Sequence, residues 1–273
     1  MATIAAKAIY IGGLKIDALS QEAWAELLVE NYKANPGRSQ LPKFMTSANG
    51  FVLSLQARSP AFRRLLDHAD GIDADGMPLV LASRWLSGES LPGRVATTDF
   101  FHVAAGRAAE AGMSFYLLGG SEEDNRTAVE RVRAAYPGLR IAGRRNGYFA
   151  RGEEAAITDE IVAAGTDVLW VGLGVPLEHD FIVRNRRRLT GVTWIKTCGG
   201  LFKFLSGRDP RAPRWMQGLG LEWLFRLARE PGRLFTRYAY TNCHAIYLMY
   251  KHRSPARAVR PSALPGEQAT RAS

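Results

Sequence analysis

Two aspartates in the first third of the chain carry the side chains best suited to acid–base chemistry. Asp73 and Asp75 lie in GIDADGMPLVLAS, where an apolar stretch ends and Gly76 precedes a predicted helix. A carboxylate at the carboxyl end of a strand is well placed to act as a general base. Asp75 could equally cap the following helix, because Asp is a favoured N-cap residue. The spacing leaves both roles open, and the letters DAD alone do not make a convincing metal site.

A second polar group, TSANG, follows another apolar stretch and contains Thr46, Ser47 and Asn49. Hydroxyl and amide groups at the end of a strand could hydrogen-bond to the hydroxyls of a sugar. The same residue types are also common in ordinary turns. We treat the three residues as candidate substrate-binding residues.

Glycines end two further apolar stretches. Gly119 and Gly120 lie in FYLLGGSEEDN, and Gly172 and Gly174 lie in VGLGVPLEHDF, which continues into Glu178. Glycines let a ligand approach the backbone, and a helix start offers free N–H groups to a phosphate. Neither segment has the G-x-G-x-x-G pattern of dinucleotide-binding proteins, and three acidic residues after Gly120 oppose a phosphate there. An ordinary strand–helix turn therefore remains the alternative.

The C-terminal part is rich in arginine and aromatic residues. Arg226, Arg229, Arg233 and Arg237 follow one another at spacings of three, four and four, and share a face if one helix runs through Pro231. Such a segment suits contact with a diphosphate or with anionic lipid. A helical layer with a solvated basic face is the alternative.

The charge distribution supports an anionic partner for this part of the chain. The whole sequence of 273 residues carries a net charge of +10, but residues 184–260 hold 17 Lys and Arg against 3 Asp and Glu. Residues 1–183 are slightly acidic. This asymmetry points to phosphates, nucleic acid or an anionic membrane surface. The two cysteines make no disulfide framework, and we expect neither a secretory signal nor a membrane-spanning helix.

Strand and helix patterns alternate through the first 200 residues, which favours an α/β fold: a Rossmann-like, mostly parallel sheet with helices on both faces. Predicted strands cover residues 8–11, 43–47, 71–74, 114–118, 139–142, 167–172 and 192–197. Predicted helices cover residues 20–32, 50–67, 77–86, 99–111, 121–136, 153–164 and 177–189.

The pattern changes near Gly200. We predict an α/β catalytic domain over residues 1–200 and a basic helical appendage for diphosphate and membrane contact over 201–253. Residues 254–273 are rich in Pro, Ala and Ser, and we predict a disordered tail.

Taken in order, these motifs resemble the WecG/TagA/CpsF family, glycosyltransferase family 26. The resemblance spans about residues 8–240. It rests on DG at Asp75–Gly76, RVATTDF, LLGG, YPGLRIAG with NGYF, VGLGVP, GG-x-F, and RAPRWMQGLGLEWLFRLAREPGRLFTRY. The family implies an inverting, metal-independent transferase without a cofactor, acting at the cytoplasmic membrane face. It transfers a sugar from a UDP-sugar to a polyprenyl-diphosphate-linked glycan.

The resemblance also implies roles for individual residues. Asp75 corresponds to the general base that deprotonates the acceptor hydroxyl, and Arg94 to the arginine that follows the aspartate motif. Asn49, with Thr46 or Ser47, corresponds to the threonine–asparagine pair of the family that helps hold the donor sugar. We also take the four glycines named above and Glu178 as candidate substrate-binding residues. The C-terminal arginines, which we take as Arg211, Arg226, Arg229 and Arg233, correspond to those that engage the diphosphate and the membrane.

Three positions depart from the family pattern. Ser47 replaces a common threonine, Glu178–His179 replaces Gln-Glu, and Lys203 replaces the aspartate of GG-x-F-D. WIKTCGG resembles the GumM-like, xanthan-type glucosyltransferase branch, which favours UDP-glucose over UDP-N-acetylmannosamine and a role in exopolysaccharide biosynthesis. The first two departures concern the expected sugar site, so the donor stays open between these two.

Two other function classes fit parts of the sequence. A nucleotide-cofactor-dependent oxidoreductase is compatible with the doubly wound pattern but lacks its glycine fingerprint. A basic nucleic-acid-binding module fits the charge of the C-terminal part but lacks the usual signatures, so we expect no nucleic-acid partner. The sequence leaves a homo-oligomer open.

Overall fold

The computed structural model describes residues 7–86 and 89–253, except for the side chain of Arg233. The predicted disordered tail, 254–273, lies outside the described residues. In chain order the strands are β1 (Ala8–Ile11), β2 (Leu14–Asp17), β3 (Lys43–Ala48), β4 (Gly71–Ala74), β5 (Ser114–Gly119), β6 (Arg140–Arg145), β7 (Val168–Gly172) and β8 (Trp194–Thr197).

Twelve α-helices cover most of the rest of the described chain. They are α1 (Gln21–Lys33), α2 (Gly50–Arg58), α3 (Pro60–Leu66), α4 (Met77–Leu86), α5 (Thr97–Glu110), α6 (Glu122–Ala135), α7 (Glu154–Ala163), α8 (Leu177–Asn185), α9 (Leu201–Leu205), α10 (Arg214–Gly218), α11 (Glu222–Arg229) and α12 (Pro231–Lys251).

Six strands form one parallel sheet in the order β4-β3-β8-β7-β5-β6. Alternate residues of β5 show how helices cover both faces. Phe115 and Leu117 pack with α1, α5, α6 and α9, whereas Tyr116 and Leu118 pack with α7 and α8. Because both faces are buried, the central strands are continuous apolar runs. The predicted α/β class is confirmed.

The first predicted strand has a different partner from the others. β1 pairs with β2 in a separate antiparallel hairpin, and β2 was not predicted. Gly12 and Gly13 connect the two strands with positive φ angles of 59° and 82°. Two consecutive residues with positive φ are what a tight hairpin turn requires, and glycine adopts them without strain.

The predicted helix over 50–67 is two helices. Ser59 ends α2 and caps α3, whose first residue is Pro60. Proline has no N–H to continue the α2 ladder, and it fits the first turn of a new helix. In the same way, the chain breaks at Glu230 between α11 and α12, so the four spaced arginines do not lie on one continuous helix.

Helix α12 packs directly on the α/β part of the molecule. Ala245 and Met249 belong to the same apolar cluster as α2, α4 and the hairpin. The Ser54 hydroxyl on α2 lies 2.9 Å from Nδ1 of His244. Within the ranges 7–86 and 89–253, no helix combines the length and apolar character needed to cross a bilayer. The division into a catalytic domain and an appendage stays a prediction.

Candidate active site

A cavity of about 640 Å³ opens where the carboxyl ends of the parallel strands meet the C-terminal helices. Ligands of open α/β sheets bind at this edge because loops after successive strands converge there. The lining includes ten of the sequence-predicted residues: Thr46, Ser47, Asn49, Asp75, Arg94, Gly120, Gly172, Gly174, Glu178 and Arg226.

Asp75 lies immediately after β4 at the wall of this cavity, with a side chain 25% exposed. Arg94 Nη2 lies 3.4 Å from Asp75 Oδ1, and Arg94 Nε donates to the Asp75 carbonyl at 2.5 Å. The Thr97 hydroxyl donates to Asp75 Oδ2 at 3.5 Å. These contacts hold the carboxylate at the cavity wall. Its partners are therefore side chains of Arg94 and Thr97.

Arg94 joins the sheet edge to the C-terminal helices. Its Nη1 lies 2.8 Å from Oε2 of Glu222 on α11, so one guanidinium contacts carboxylates of both parts. Burial lowers the pKa of Arg94, but Asp75 and Glu222 outweigh burial and raise it. The guanidinium therefore remains a cation beside Asp75.

Arg211 lies outside the cavity lining and supports this junction from behind. Its Nε lies 3.1 Å from Glu222, its Nη1 lies 2.8 Å from Asp99 on α5, and its Nη2 donates to Gln217. The geometry thus places Arg211 between two carboxylates and gives it a part in holding α11. Its predicted contact with substrate stays a prediction.

A buried ion pair lies beneath Ser47. Lys196 on β8 is 1% exposed, and its Nζ contacts Asp73 Oδ2 at 2.5 Å and Ser47 Oγ at 2.7 Å. Burial raises the pKa of Asp73, and Lys196 opposes that rise. Asp73, the first carboxylate of the DAD motif, is therefore ion-paired with Lys196 and does not line the cavity.

The opposite face of the same strands carries a second polar chain. Thr197 donates to the Thr46 hydroxyl at 2.8 Å, and that hydroxyl lies 2.8 Å from Nε2 of His179. Burial, with help from Lys196, lowers the pKa of His179 to about 3. His179 is therefore a neutral buried ring and does not line the cavity. Asn49 caps α2 by accepting from the Val52 amide at 3.1 Å.

Glu178 links the loops after two strands. Its Oε2 accepts from the amides of Gly174, after β7, and Gly199, after β8, at 3.1 and 3.0 Å. Burial raises the pKa of Glu178 to about 7, and the two amides oppose the rise. Nearby, Gly119 lies so close to β7 that a Cβ would meet Gly172 O at 2.2 Å, which explains a glycine there.

Cations line the side of the cavity formed by the C-terminal half. Arg226 lies over the Phe204 ring at 5.7 Å, and Arg237 lies over the Phe51 ring at 4.0 Å. Lys203, the departure from the family pattern, also lines the cavity. Arg229 does not, and the side chain of Arg233 is not described.

Four contributing residues were not among the predicted site residues: Thr97, Lys196, Lys203 and Arg237. Thr97 lies within the quoted motif RVATTDF, and Arg237 completes the arginine spacing, so both had a signal. Lys196 looked like one polar letter in an apolar strand, and only the sheet register shows that it reaches Asp73.

Comparison with known proteins identifies the family of the chain. The model of the glycosyl transferase WecG/TagA/CpsF family matches residues 9–258. The chain belongs to this family. It is therefore a glycosyltransferase. This result excludes the oxidoreductase and the nucleic-acid-binding module as its function class.

Two Bacillus proteins illustrate the relationship. Both are named N-acetylglucosaminyldiphosphoundecaprenol N-acetyl-beta-D-mannosaminyltransferase. The protein of Bacillus spizizenii (strain W23) is 31% identical over 190 residues, which cover 70% of this chain and 72% of the relative. The protein of Bacillus subtilis (strain 168) is 32% identical over 169 residues, which cover 62% of this chain and 64% of the relative.

Replacing Glu178 with glutamine tests whether this residue is a buried carboxyl with a raised pKa. The side-chain carbonyl of the introduced glutamine can accept both loop amides, but the group cannot titrate. In the wild type, the raised pKa of Glu178 contributes stability because the folded protein keeps this carboxyl protonated. That contribution is fully present below pH 4.5 and is lost as pH rises through about 7. The free energy of unfolding of Glu178→Gln, relative to wild type, should therefore rise with pH by on the order of 3 kcal/mol.

Urea unfolding of both proteins between pH 4.5 and 8 measures this difference directly. Other titrating groups cancel because they are common to both chains. A difference that stays constant across this range would show that Glu178 is not a carboxyl of raised pKa.

Proposed function

We propose that this family member is an inverting transferase that moves a hexose or N-acetylhexosamine from a UDP-sugar to a polyprenyl-diphosphate-linked saccharide. The two Bacillus relatives support the acceptor class, since their names specify a sugar linked through diphosphate to undecaprenol. The product would enter an exopolysaccharide or another cell-surface polysaccharide.

The observation that carries the proposal is Asp75 at the wall of the cavity, held between Arg94 and Thr97. A fixed carboxylate can take the proton of an acceptor hydroxyl while that oxygen attacks the anomeric carbon. The bond from the anomeric carbon to the donor phosphate breaks in the same step, and UDP leaves with the electron pair. One base and one displacement invert the anomeric configuration.

Cations on the C-terminal side of the cavity suit the other half of this reaction. The leaving diphosphate gains negative charge, which fixed positive groups stabilise most when they are already in place. Arg226, Arg237 and Lys203 line the cavity and supply such charge. We assign the diphosphate to these side chains and propose no metal, since Asp73 is already bound by Lys196.

The donor sugar stays open between two candidates. The Bacillus relatives are named for transfer of N-acetylmannosamine. The WIKTCGG resemblance favours glucose instead, and the departures at Ser47 and Glu178 leave the donor open. Both departures lie on the cavity wall, beside the expected position of the sugar.

We further propose that the C-terminal helices rest on the cytoplasmic face of the membrane. Among the described residues, nine of the fourteen exposed large apolar side chains lie on or between α10 and α12: Trp215, Leu219, Trp223, Leu224, Phe235, Tyr240, Ile246, Tyr247 and Tyr250. Arginines lie among them. Aromatic and basic residues together bind the interface of an anionic bilayer. This placement brings the cavity close to a lipid-linked acceptor.

Replacing the proposed base should abolish transfer. Asp75→Asn keeps the shape of the side chain but cannot accept the hydroxyl proton, so kcat should fall by about 10² to 10⁴-fold. The assay uses labelled UDP-glucose and UDP-N-acetylmannosamine with polyprenyl-diphosphate N-acetylglucosamine. Asp70→Asn, just before the other end of β4, is the matched control and should stay active. Near wild-type turnover by Asp75→Asn would remove the proposed base.

Two arginines of α11 provide a test of the diphosphate contact. Arg226 lines the cavity and Arg229, one turn later, does not. Arg226→Gln should raise the KM for the UDP-sugar by about tenfold or more, because a charge-assisted hydrogen bond contributes about 1.5–3 kcal/mol. Arg229→Gln should leave that KM unchanged. Equal effects of the two substitutions would contradict a specific role for Arg226.

Vesicle flotation tests the membrane contact. The full chain should float with vesicles containing anionic phosphatidylglycerol, less so at high salt, because charge attraction is screened. Phe235→Ser should weaken binding to the vesicles by about tenfold or more, because burial of one aromatic side chain contributes about 1.5–3 kcal/mol. Leu41→Ser, an exposed apolar position next to the start of β3, is the control. Equal loss in both variants, or no flotation of the wild type, would contradict this placement.

A further inference from the structure

The buried pair of Lys196 and Asp73 lies directly below the cavity, although neither residue lines it. The two side chains are 1% and 4% exposed, and Nζ lies 2.5 Å from Oδ2. Taking two charges out of water is expensive, and an apolar pair of similar volume is often at least as stabilising. Stability is therefore a weak explanation for this pair, and its other contacts suggest a different role.

The contacts of Lys196 define the direction of a hydrogen-bond chain. A lysine ammonium has three donors and no acceptor, so Ser47 Oγ must accept from Nζ at 2.7 Å. The Ser47 hydroxyl can then give its own proton to Thr97 Oγ1, 3.2 Å away. Thr97 in turn donates to Asp75 Oδ2 at 3.5 Å. Either hydroxyl can be the donor between Ser47 and Thr97, and donation from Ser47 to Thr97 is the direction that leaves the Thr97 proton for Asp75.

The sheet register explains how this chain forms. Ser47 on β3 is the Cα partner of Asp73 on β4, so both side chains leave the same face of the sheet. Lys196 is the partner of Met45, one pleat earlier on β3, and its long side chain reaches along that face. Thr97 begins α5, which covers this face.

We propose that Lys196, anchored by Asp73, is a positioning residue for the reaction: it orients the hydroxyls of Ser47 and Thr97 so that they hold the Asp75 carboxylate. The inference rests on the proposed function, in which Asp75 is the base. Arg94 fixes Oδ1 and the Lys196 chain fixes Oδ2, so the carboxylate is held from both sides.

The polar chain on the other face provides a contrast within the same strands. Thr197 and Thr46 lead to His179, which is fully buried. That chain satisfies polar groups between β3, β8 and α8, but it ends away from Asp75. The chain from Lys196 is the one that ends on the proposed base.

The test removes both charges together, because Lys196→Met alone would leave Asp73 buried and unpaired. Asp73→Leu/Lys196→Met replaces the pair by apolar side chains of similar size and should stay folded. We expect its kcat to fall by about tenfold to a hundredfold, since a misplaced catalytic group costs that much. Thr97→Val should cause a loss of the same order, and Thr97→Ser, which keeps the hydroxyl, should restore most of the activity.

The decisive result is the triple variant. If Lys196 acts through Thr97, adding Thr97→Val to Asp73→Leu/Lys196→Met should lower kcat by less than about threefold more, because the chain is already broken. Losses that multiply would show that the pair and Thr97 act independently, and would overturn the proposal. A purely structural role for the pair would give the multiplied result.

Three controls keep the outcomes separate. Arg38→Met removes a partner of the buried Asp167, which lies just before β7 at the end of the strand away from the cavity. It should lower stability without lowering kcat. If the double variant does not fold, Thr97→Val and Thr97→Ser still decide, because equal activity of these two overturns the chain. Asp75→Asn is assayed in parallel: if it stays active, the proposed function fails, whereas multiplied losses with an inactive Asp75→Asn reject only the role of Lys196.

Discussion

The guanidinium of Arg94 is the contact on which the site depends most. It binds the backbone and the carboxylate of Asp75 at the end of β4, and it also binds Glu222 on α11. One cation thus joins the end of β4 to the C-terminal half of the molecule. Arg211 repeats the arrangement between Glu222 and Asp99 on α5. The cavity lies between these two parts, and the series of alternating charges connects them beside it.

The edge of the sheet is the part of this arrangement that the sequence predicts well. A parallel sheet brings the ends of all its strands together, so polar residues and glycines that end apolar runs must lie near one another. Asp75, Asn49, Gly172 and Gly174 were found in this way, and all four line the cavity. The fold class followed from the same alternation of strands and helices. Neither result needed any knowledge of side-chain packing.

The remaining features depend on contacts between residues far apart in the chain. The spacing of the arginines could not place Arg237, which lies on α12 beyond the break at Glu230. It also could not show that Arg226 lines the cavity while Arg229, three residues later on the same helix, does not. Likewise, Lys196 on β8 meets Asp73 on β4 across the intervening strand β3, at a separation of 123 residues in sequence. The hairpin strand β2 was not predicted because its residues alternate between buried and more exposed positions, unlike the continuous apolar runs of the central parallel strands.

The most direct measurement of the central claim is the anomeric configuration of the product. A single displacement assisted by one carboxylate, Asp75, must invert the configuration at the transferred sugar, whichever of the two UDP-sugars is used. Proton NMR of the glycan released from the lipid product reads the new linkage. The account predicts a linkage opposite to that of the donor. A retained linkage would require either two successive displacements or attack on the same face as the departing phosphate, and would contradict a single inverting displacement assisted by Asp75.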